Sequence, residues 1–232
     1  AVSFIAERMT AESISYEVDS GNVREEDWAN NWKKYFKPMK VGEKILLCPT
    51  WELKNLSDED DGRIKLIIDP GMAFGSGQHE TTKLCMELIE KYITKDTKVL
   101  DVGTGSGILG IAALLLGAED VTGVDIDALS VKVAAENAEL NGVGDKFVVK
   151  CGNLADDITG KYDLITANIV ADVILMLMPD AKKLLSEDGI FIMSGIIEPR
   201  YDDVAEGLEK NGFEIVEVQR ERGWCAVTAK QM

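Results

Sequence analysis

The sequence predicts an α/β protein built on a mostly parallel sheet that ends in an antiparallel hairpin. Two observations carry that reading. From Lys98 onward, short β-branched runs alternate with longer helical patterns, the order required by a parallel sheet covered on both faces. Near the C-terminus, two alternating runs, FEIVEVQRE and WCAVTAK, meet around Arg222 and Gly223, which suits a tight turn. With 232 residues, 46% of them hydrophobic and 28% charged, the chain can build one sizeable core plus an appendage.

In chain order, Glu25 to Phe36 reads as a polar helix bearing Trp28, Trp32, Tyr35 and Phe36, stopped by Pro38. KILLCP and RIKLIID read as two strands joined through the acidic turn DEDDG, Asp58 to Gly62. The loop PGMAFGSGQHETT, Pro70 to Thr82, leads into the helix TKLCMELIEKY, for which Thr81 and Thr82 are candidate N-caps. Then come KVLDV, ILGIAALLLG, VTGVDI, ALSVKVAAENAELNG, FVVK, YDLITANI, VILMLMPDAKKLL and GIFIMSG, alternately strand and helix with two strands in succession before the last pair. Asp127 caps the fourth of these segments and Asn141-Gly142 ends it. A helix near Tyr201 to Asn211 precedes the hairpin. This ending is unusual for dinucleotide-binding dehydrogenase domains. It is expected of the seven-stranded, mostly parallel sheet of Rossmann-like class I methyltransferases, an analogy at the level of fold.

Charge and cysteine usage remove several classes. The net charge is -16, from 25 basic and 41 acidic residues, so direct nucleic-acid binding is not expected and a basic partner is favoured. The cysteines Cys48, Cys85, Cys151 and Cys225 stand far apart with no C-x-x-C pair, which suggests neither a metal site nor a disulfide framework and fits a reducing cytoplasm. The most apolar segments fall well short of the roughly 20 residues needed to span a bilayer, so no membrane role is expected.

The richest stretch is VLDVGTGSGILGIAA, Val99 to Ala113. Gly103, Gly105 and Gly107 are spaced as in the turn of enzymes that bind S-adenosylmethionine. Gly105, Gly107 and Gly110 are spaced as in a dinucleotide fingerprint. Asp101 separates the two ligands: a carboxylate beside the turn repels a pyrophosphate and attracts the α-amino group of S-adenosylmethionine. Asp101 can equally serve by hydrogen-bonding loop amides. About twenty residues on, Asp125 ends the next strand, where a carboxylate can accept both ribose hydroxyls; Ile126 beside it can pack on the adenine. Asn153 and Leu154, after the third strand, fall where such folds meet the adenine edge and face. Asn168, after YDLITA, stands where a reactive methyl would project, and its carbonyl can accept N–H from an incoming amine; capping the next helix is its bland alternative. His79, the only histidine, can relay a proton, although a lone loop histidine is more often structural.

The segments DWANNWKKYFKP, GEKILLCPTWE, AFGSGQHETT, DVGTGSGILGIAA, GVDIDALSV, YDLITANI and MSGI together closely resemble the bacterial methyltransferases that modify large-subunit ribosomal protein eleven. The resemblance runs from about Glu25 to the C-terminus, and AFGSGQHETT is its most specific part. It implies that Thr82, Gly103, Asp125 and Asn168 occupy cofactor-contacting positions and that Phe74 and Gly75 lie in a loop over bound S-adenosylmethionine. It also implies methylation of lysine ε-amino and α-amino groups of that protein, free or on the ribosome, with S-adenosylhomocysteine as product. Members carry a separate N-terminal substrate-recognition domain on a helical linker. Residues 1–24 are therefore read as a remnant of that domain, 25–43 as the linker and 44–232 as the methyltransferase domain. Because the chain opens on Ala1, inside what reads as an element, it is expected to be shortened or variant, binding the cofactor but recognising the ribosomal substrate poorly.

Four rivals remain. Release-factor glutamine methyltransferases use an Asn-Pro-Pro-aromatic loop, whereas this chain has Asn168, Ile169, Val170 and Ala171. A small-molecule amine methyltransferase would keep the front region as a lid. A non-catalytic cofactor-binding module would keep the turn alone, and an NAD-dependent oxidoreductase would need a donor set that is not evident.

Overall fold

The computed structural model describes residues 36–56, 62–69, 75 and 77–232. The chain divides into Ala1–Phe36 and Lys37–Met232, and the strands and helices described all belong to the second unit. The helix expected over Glu25 to Phe36 with its aromatics, the segment 1–24, most of the acidic turn and Phe74 lie outside the described residues.

Among the described residues, seven strands form the main sheet: β4 (Lys98–Val102), β5 (Asp120–Asp125), β6 (Phe147–Cys151), β7 (Tyr162–Asn168), β8 (Leu185–Ile197), β9 (Phe213–Glu221) and β10 (Trp224–Gln231). Their spatial order is β6-β5-β4-β7-β8-β10-β9. The first five are parallel, and β10 inserts antiparallel between β8 and β9. This is the predicted α/β sheet with its terminal hairpin. Strand order reverses between β4 and β7, and there the crevice at the carboxyl edge of the strands forms.

Helices α1 (Glu80–Tyr92), α2 (Ile108–Leu115), α3 (Ala128–Leu140), α4 (Ala171–Leu184) and α5 (Tyr201–Lys210) fall where the sequence pattern put them. The cap of α1 does not. His79 is the N-cap, its side chain accepting from the Thr81 amide, so Thr81 and Thr82 belong to the first turn and are buried. On one face of the sheet, α4 and α5 bury Ile174, Leu177, Met178, Val204 and Leu208 against β-strand residues such as Leu100, Ile165 and Phe191. Burying side chains of this size contributes about 1.5–3 kcal/mol each.

A smaller sheet precedes the main one: β1 (Met39–Val41), β2 (Ile45–Pro49) and β3 (Ile64–Ile68), in that order. Met39–Val41 is therefore strand, although it falls in the span 25–43 read as helical linker. β2 and β3 run parallel, so they are not a hairpin folded at the acidic turn. A parallel pair needs a crossover, and the 3₁₀ turn Thr50–Asn55 forms its first part. The far edge of β3 is met by α3. Asn141 accepts from Ile67 N (2.8 Å) and donates to Ile67 O (2.7 Å), while Asn137 accepts from Asp69 N (3.0 Å). Four helical residues rise about 6 Å and two strand residues about 6.6 Å, so asparagines one turn apart match alternate amides of a strand.

Gly107, Gly110 and Gly123 surround one ring, that of Phe147 on β6. A Cβ at these positions would stand 3.1, 2.7 and 2.7 Å from its carbons. Gly107 also has φ +83° and caps α2. Glycine here lets α2 lie close to β5 and β6. At Gly110, replacement by alanine gains about 1 kcal/mol of helix propensity but incurs an overpacking cost of about 1–3 kcal/mol. Gly110→Ala is expected to lower stability by about 1 kcal/mol in urea unfolding. In a Phe147→Leu background the same change should be neutral or stabilising. Equal losses in both backgrounds would refute the packing account.

Candidate active site

The crevice at the switch point collects residues from five segments. Gly103 follows β4, and Asn168 ends β7, beside it in register because Val102 pairs with Ala167. Gly103 has φ +71°, and a Cβ there would lie 2.5 Å from Ile169 Cγ2, so only glycine fits. The amides of Gly103 and Thr104 both donate to Val124 O, at 2.8 and 3.0 Å. The Gly105 amide donates to Asp125 Oδ2 (2.8 Å), and that of Asp127 to Asp125 Oδ1 (2.9 Å). Asp125 thus joins the glycine turn to the start of α3. Its carboxylate has about four acceptor positions, and two of them take these amides, leaving capacity for a pair of hydroxyls. Asp127 caps α3 by accepting from Leu129 N, so Asp125 is not the helix cap.

Asp101 is placed differently from the expected direct contact. It is 1% exposed, and its two oxygens accept from the hydroxyls of Thr104 and Thr166, each at 2.6 Å. The carboxyl therefore braces the turn against β7 from beneath, and it is not presented to a ligand. Burial raises its pKa, opposed by the two threonine hydroxyls. Cys85 nearby is fully buried, which together with the Asp101 charge pushes its thiol far above the usual range and keeps it protonated.

Asn168 Nδ2 donates to Thr82 Oγ1 at 3.2 Å, joining two of the expected residues across 86 positions of sequence. That bond orients the amide so that its carbonyl oxygen is left to accept. Gly195 supports the position: at φ +81° it packs so closely that a Cβ would meet Ile169 O at 2.3 Å. His79 is tied up as the cap of α1 and stacks edge-on against Trp224, with ring centroids 4.8 Å apart. The hairpin tip is latched to the same helix by Arg222 and Glu80, 2.9 Å apart. The Glu80 carboxyl is held below its usual range by its own backbone N–H and by Arg222.

Ile126 is 74% exposed at the end of β5, as a platform for a flat ring would be. Asn153 donates to Asp156 (3.0 Å), and Leu154 holds a left-handed φ of +50°. Both line a hollow of about 40 Å³ together with Val124 and Cys151. Gly75, in the loop before α1, accepts at its carbonyl from Ser106 Oγ (2.6 Å). A larger hollow of about 540 Å³ lies between α5 and β9, where Phe213, Glu214 and Met232 mark the opposite edge of the sheet. It takes no part in this site.

Sequence reading missed Thr104, Thr166, Ser106, Asn137 and Gly195. The available signal was Asn137 inside α3, a poor helix former that a helix keeps when its side chain bonds elsewhere. Among the described residues no cluster of His, Cys, Asp and Glu can hold a metal ion, and no helix is long and apolar enough to cross a membrane.

A glycine turn at the switch point of this sheet, an acidic residue ending the next strand and an antiparallel hairpin at the end define a Rossmann-like S-adenosylmethionine-dependent methyltransferase. An S-adenosylmethionine-dependent methyltransferase from Clostridium acetobutylicum shares the fold at TM-score 0.57 and 14% identity, over 67% of this chain and 93% of that one. The chain belongs to the ribosomal protein L11 methyltransferase family (PrmA), whose model matches residues 2–232. It is 49% identical over 213 residues to the ribosomal protein L11 methyltransferase of Clostridium perfringens (strain SM101 / Type A), covering 92% of this chain and 67% of that protein. A crystal structure of ribosomal protein L11 methylase from Lactobacillus delbrueckii subsp. bulgaricus superimposes with TM-score 0.79 at 37% identity, over 84% of this chain and 99% of that one.

The buried carboxyl gives a pH test. Since Asp101 ionises less readily folded than unfolded, the native state retains a proton from its unfolded value of about 3.9 up to its higher folded value. Its contribution to stability is full below that window and falls as pH rises through it. Asp101→Asn keeps the shape and removes the titration, so urea unfolding at a series of pH values should show this falling contribution in the wild type only. An identical pH profile in the variant would assign the effect to other groups.

Proposed function

We propose that this chain transfers methyl groups from S-adenosylmethionine to lysine ε-amino and α-amino groups of large-subunit ribosomal protein L11, free or on the ribosome, in the cytoplasm. The observation that carries the reading is the Asn168 amide. It is anchored by Thr82, stands beside the Gly103 turn at the switch point, and leaves its carbonyl oxygen for an incoming amine. Domain roles follow the same reading, with one boundary moved: the cofactor-binding unit includes β1 at Met39–Val41, so the proposed linker ends before Met39.

The cofactor supplies a methyl group on a sulfonium, ready for in-line attack by a neutral amine. Asp125 is suited to hold the ribose hydroxyls, Ile126 and Leu154 to flank the adenine with Asn153 at its edge, and Gly103, Gly105 and Gly75 to let backbone approach the ligand. Phe74 is assigned to the same neighbourhood by family resemblance. A lysine of pKa about 10.4 costs roughly 4–5 kcal/mol to deprotonate at pH 7, so the site must favour the neutral amine. Desolvation lowers that cost, and the amide carbonyl then orients the neutral amine by accepting its N–H, with the nitrogen lone pair pointing at the methyl. His79, held in the cap of α1, is not needed as a base, and the proton can leave to water. The net charge of -16 favours approach of a basic ribosomal protein and opposes direct contact with nucleic acid.

Calorimetric titration is expected to show micromolar binding of S-adenosylmethionine and none of NAD. Asp125→Ala should weaken that binding by roughly 10–150-fold, the equivalent of hydrogen bonds to a charged group. Binding of NAD instead would overturn the reading. With purified L11, Asn168→Ala is expected to lower kcat at least about tenfold while the KM for L11 changes less, since the amide acts on the reacting nitrogen. Unchanged turnover would remove Asn168 from the chemistry, and transfer to small amines but never to L11 would move the substrate class.

A further inference from the structure

The three-stranded sheet shares no strand with the seven-stranded one, yet it reaches the glycine turn through a single side chain. Asn137, on α3, is 1% exposed. Its Oδ1 accepts from Asp69 N at the end of β3 (3.0 Å), and its Nδ2 donates to Ser106 O in the middle of the turn (2.9 Å). Ser106, itself fully buried, then grips Gly75 O through its hydroxyl (2.6 Å). Asn141, one turn on at the C-cap of the same helix, accepts from Ile67 N in β3, but its amide nitrogen goes to Ile67 O and Asn137 O, away from the turn. Asn137 within the helix and Asn141 at its C-cap thus both accept from amides along β3 and its end, but of the two only Asn137 reaches the turn.

The geometry points to Asn137 as a positioning residue for the cofactor-binding turn: one carboxamide locks Ser106 to the end of β3, making the small sheet a brace for the amides of Gly105 and Gly107. The assignment of that turn to a cofactor rests on the function proposed above; the brace itself rests on the hydrogen bonds. A turn carrying glycines with φ of +71°, +54° and +83° has no side chains of its own at those positions to hold its shape. Its amides are fixed instead by Thr104 O, Asp125 and, through Ser106, by Asn137.

Asn137→Asp makes the cleanest test, because it keeps the size and the acceptor for Asp69 N–H while removing the donor to Ser106 O. Asn141→Asp makes the same chemical change one turn away. The readouts are amide hydrogen exchange at Gly105 and Gly107, whose N–H groups bond to Asp125 and Thr104 O, and the Kd for S-adenosylmethionine, with global stability measured by urea unfolding. Exchange at both glycines is expected to rise at least tenfold, and Kd about tenfold, in Asn137→Asp but not in Asn141→Asp. If the buried carboxylate prevents folding, Asn137→Ala against Asn141→Ala is read the same way. Equal effects of the paired variants, or no change at either glycine, would overturn the positioning role. A wild-type chain that binds no S-adenosylmethionine would defeat the proposed function, while the exchange comparison would still decide the role of Asn137.

Discussion

The carboxylate of Asp101, buried and held by two threonine hydroxyls, is the interaction on which the ligand edge depends. It stands at the end of β4, and its partners come from the turn after that strand, Thr104, and from the neighbouring strand β7, Thr166. A charged group removed from water is costly unless its acceptors are filled, so the two hydroxyls are needed as much as the carboxylate. Their common effect is to fix the turn's direction relative to β7, and with it the distance between Gly103 and Asn168. A carboxylate in this place still sets a negative field at the turn, which disfavours a pyrophosphate whether or not it touches the ligand.

Two glycine spacings overlap in the turn, and the structure separates their causes. Gly103 and Gly105 serve the turn: both have positive φ, and the first abuts Ile169. Gly110 serves the packing of α2 over the Phe147 ring, a demand that any helix laid this close to a sheet would make. Gly107 does both. The dinucleotide-like spacing is thus a by-product of helix packing, and it carries no information about the ligand.

The chemistry at Asn168 is assembled by residues that each look ordinary in the sequence. Thr82 looks like a helix cap, but His79 caps that helix, which frees the Thr82 hydroxyl to hold the amide. Gly195 looks like the end of a strand, but it makes room for the backbone at Ile169. Each acts through a neighbour distant in sequence.

By itself the sequence determined the succession of strands and helices from Lys98 onward, the terminal hairpin, the cap at Asp127, and Asp125 and Asn168 at strand ends. These follow from periodicity and local hydrogen bonding, which act over a few residues. Only the tertiary structure decided that β2 and β3 are parallel, that Asp101 faces inward to two threonines, that His79 and not a threonine caps α1, and that Asn137 ties the small sheet to the turn. The last three are competitions for one donor or one acceptor among groups up to 68 residues apart. Local pattern names the competitors; close packing of the folded chain chooses between them, because a buried polar group must take whichever partner the fold brings within about 3 Å.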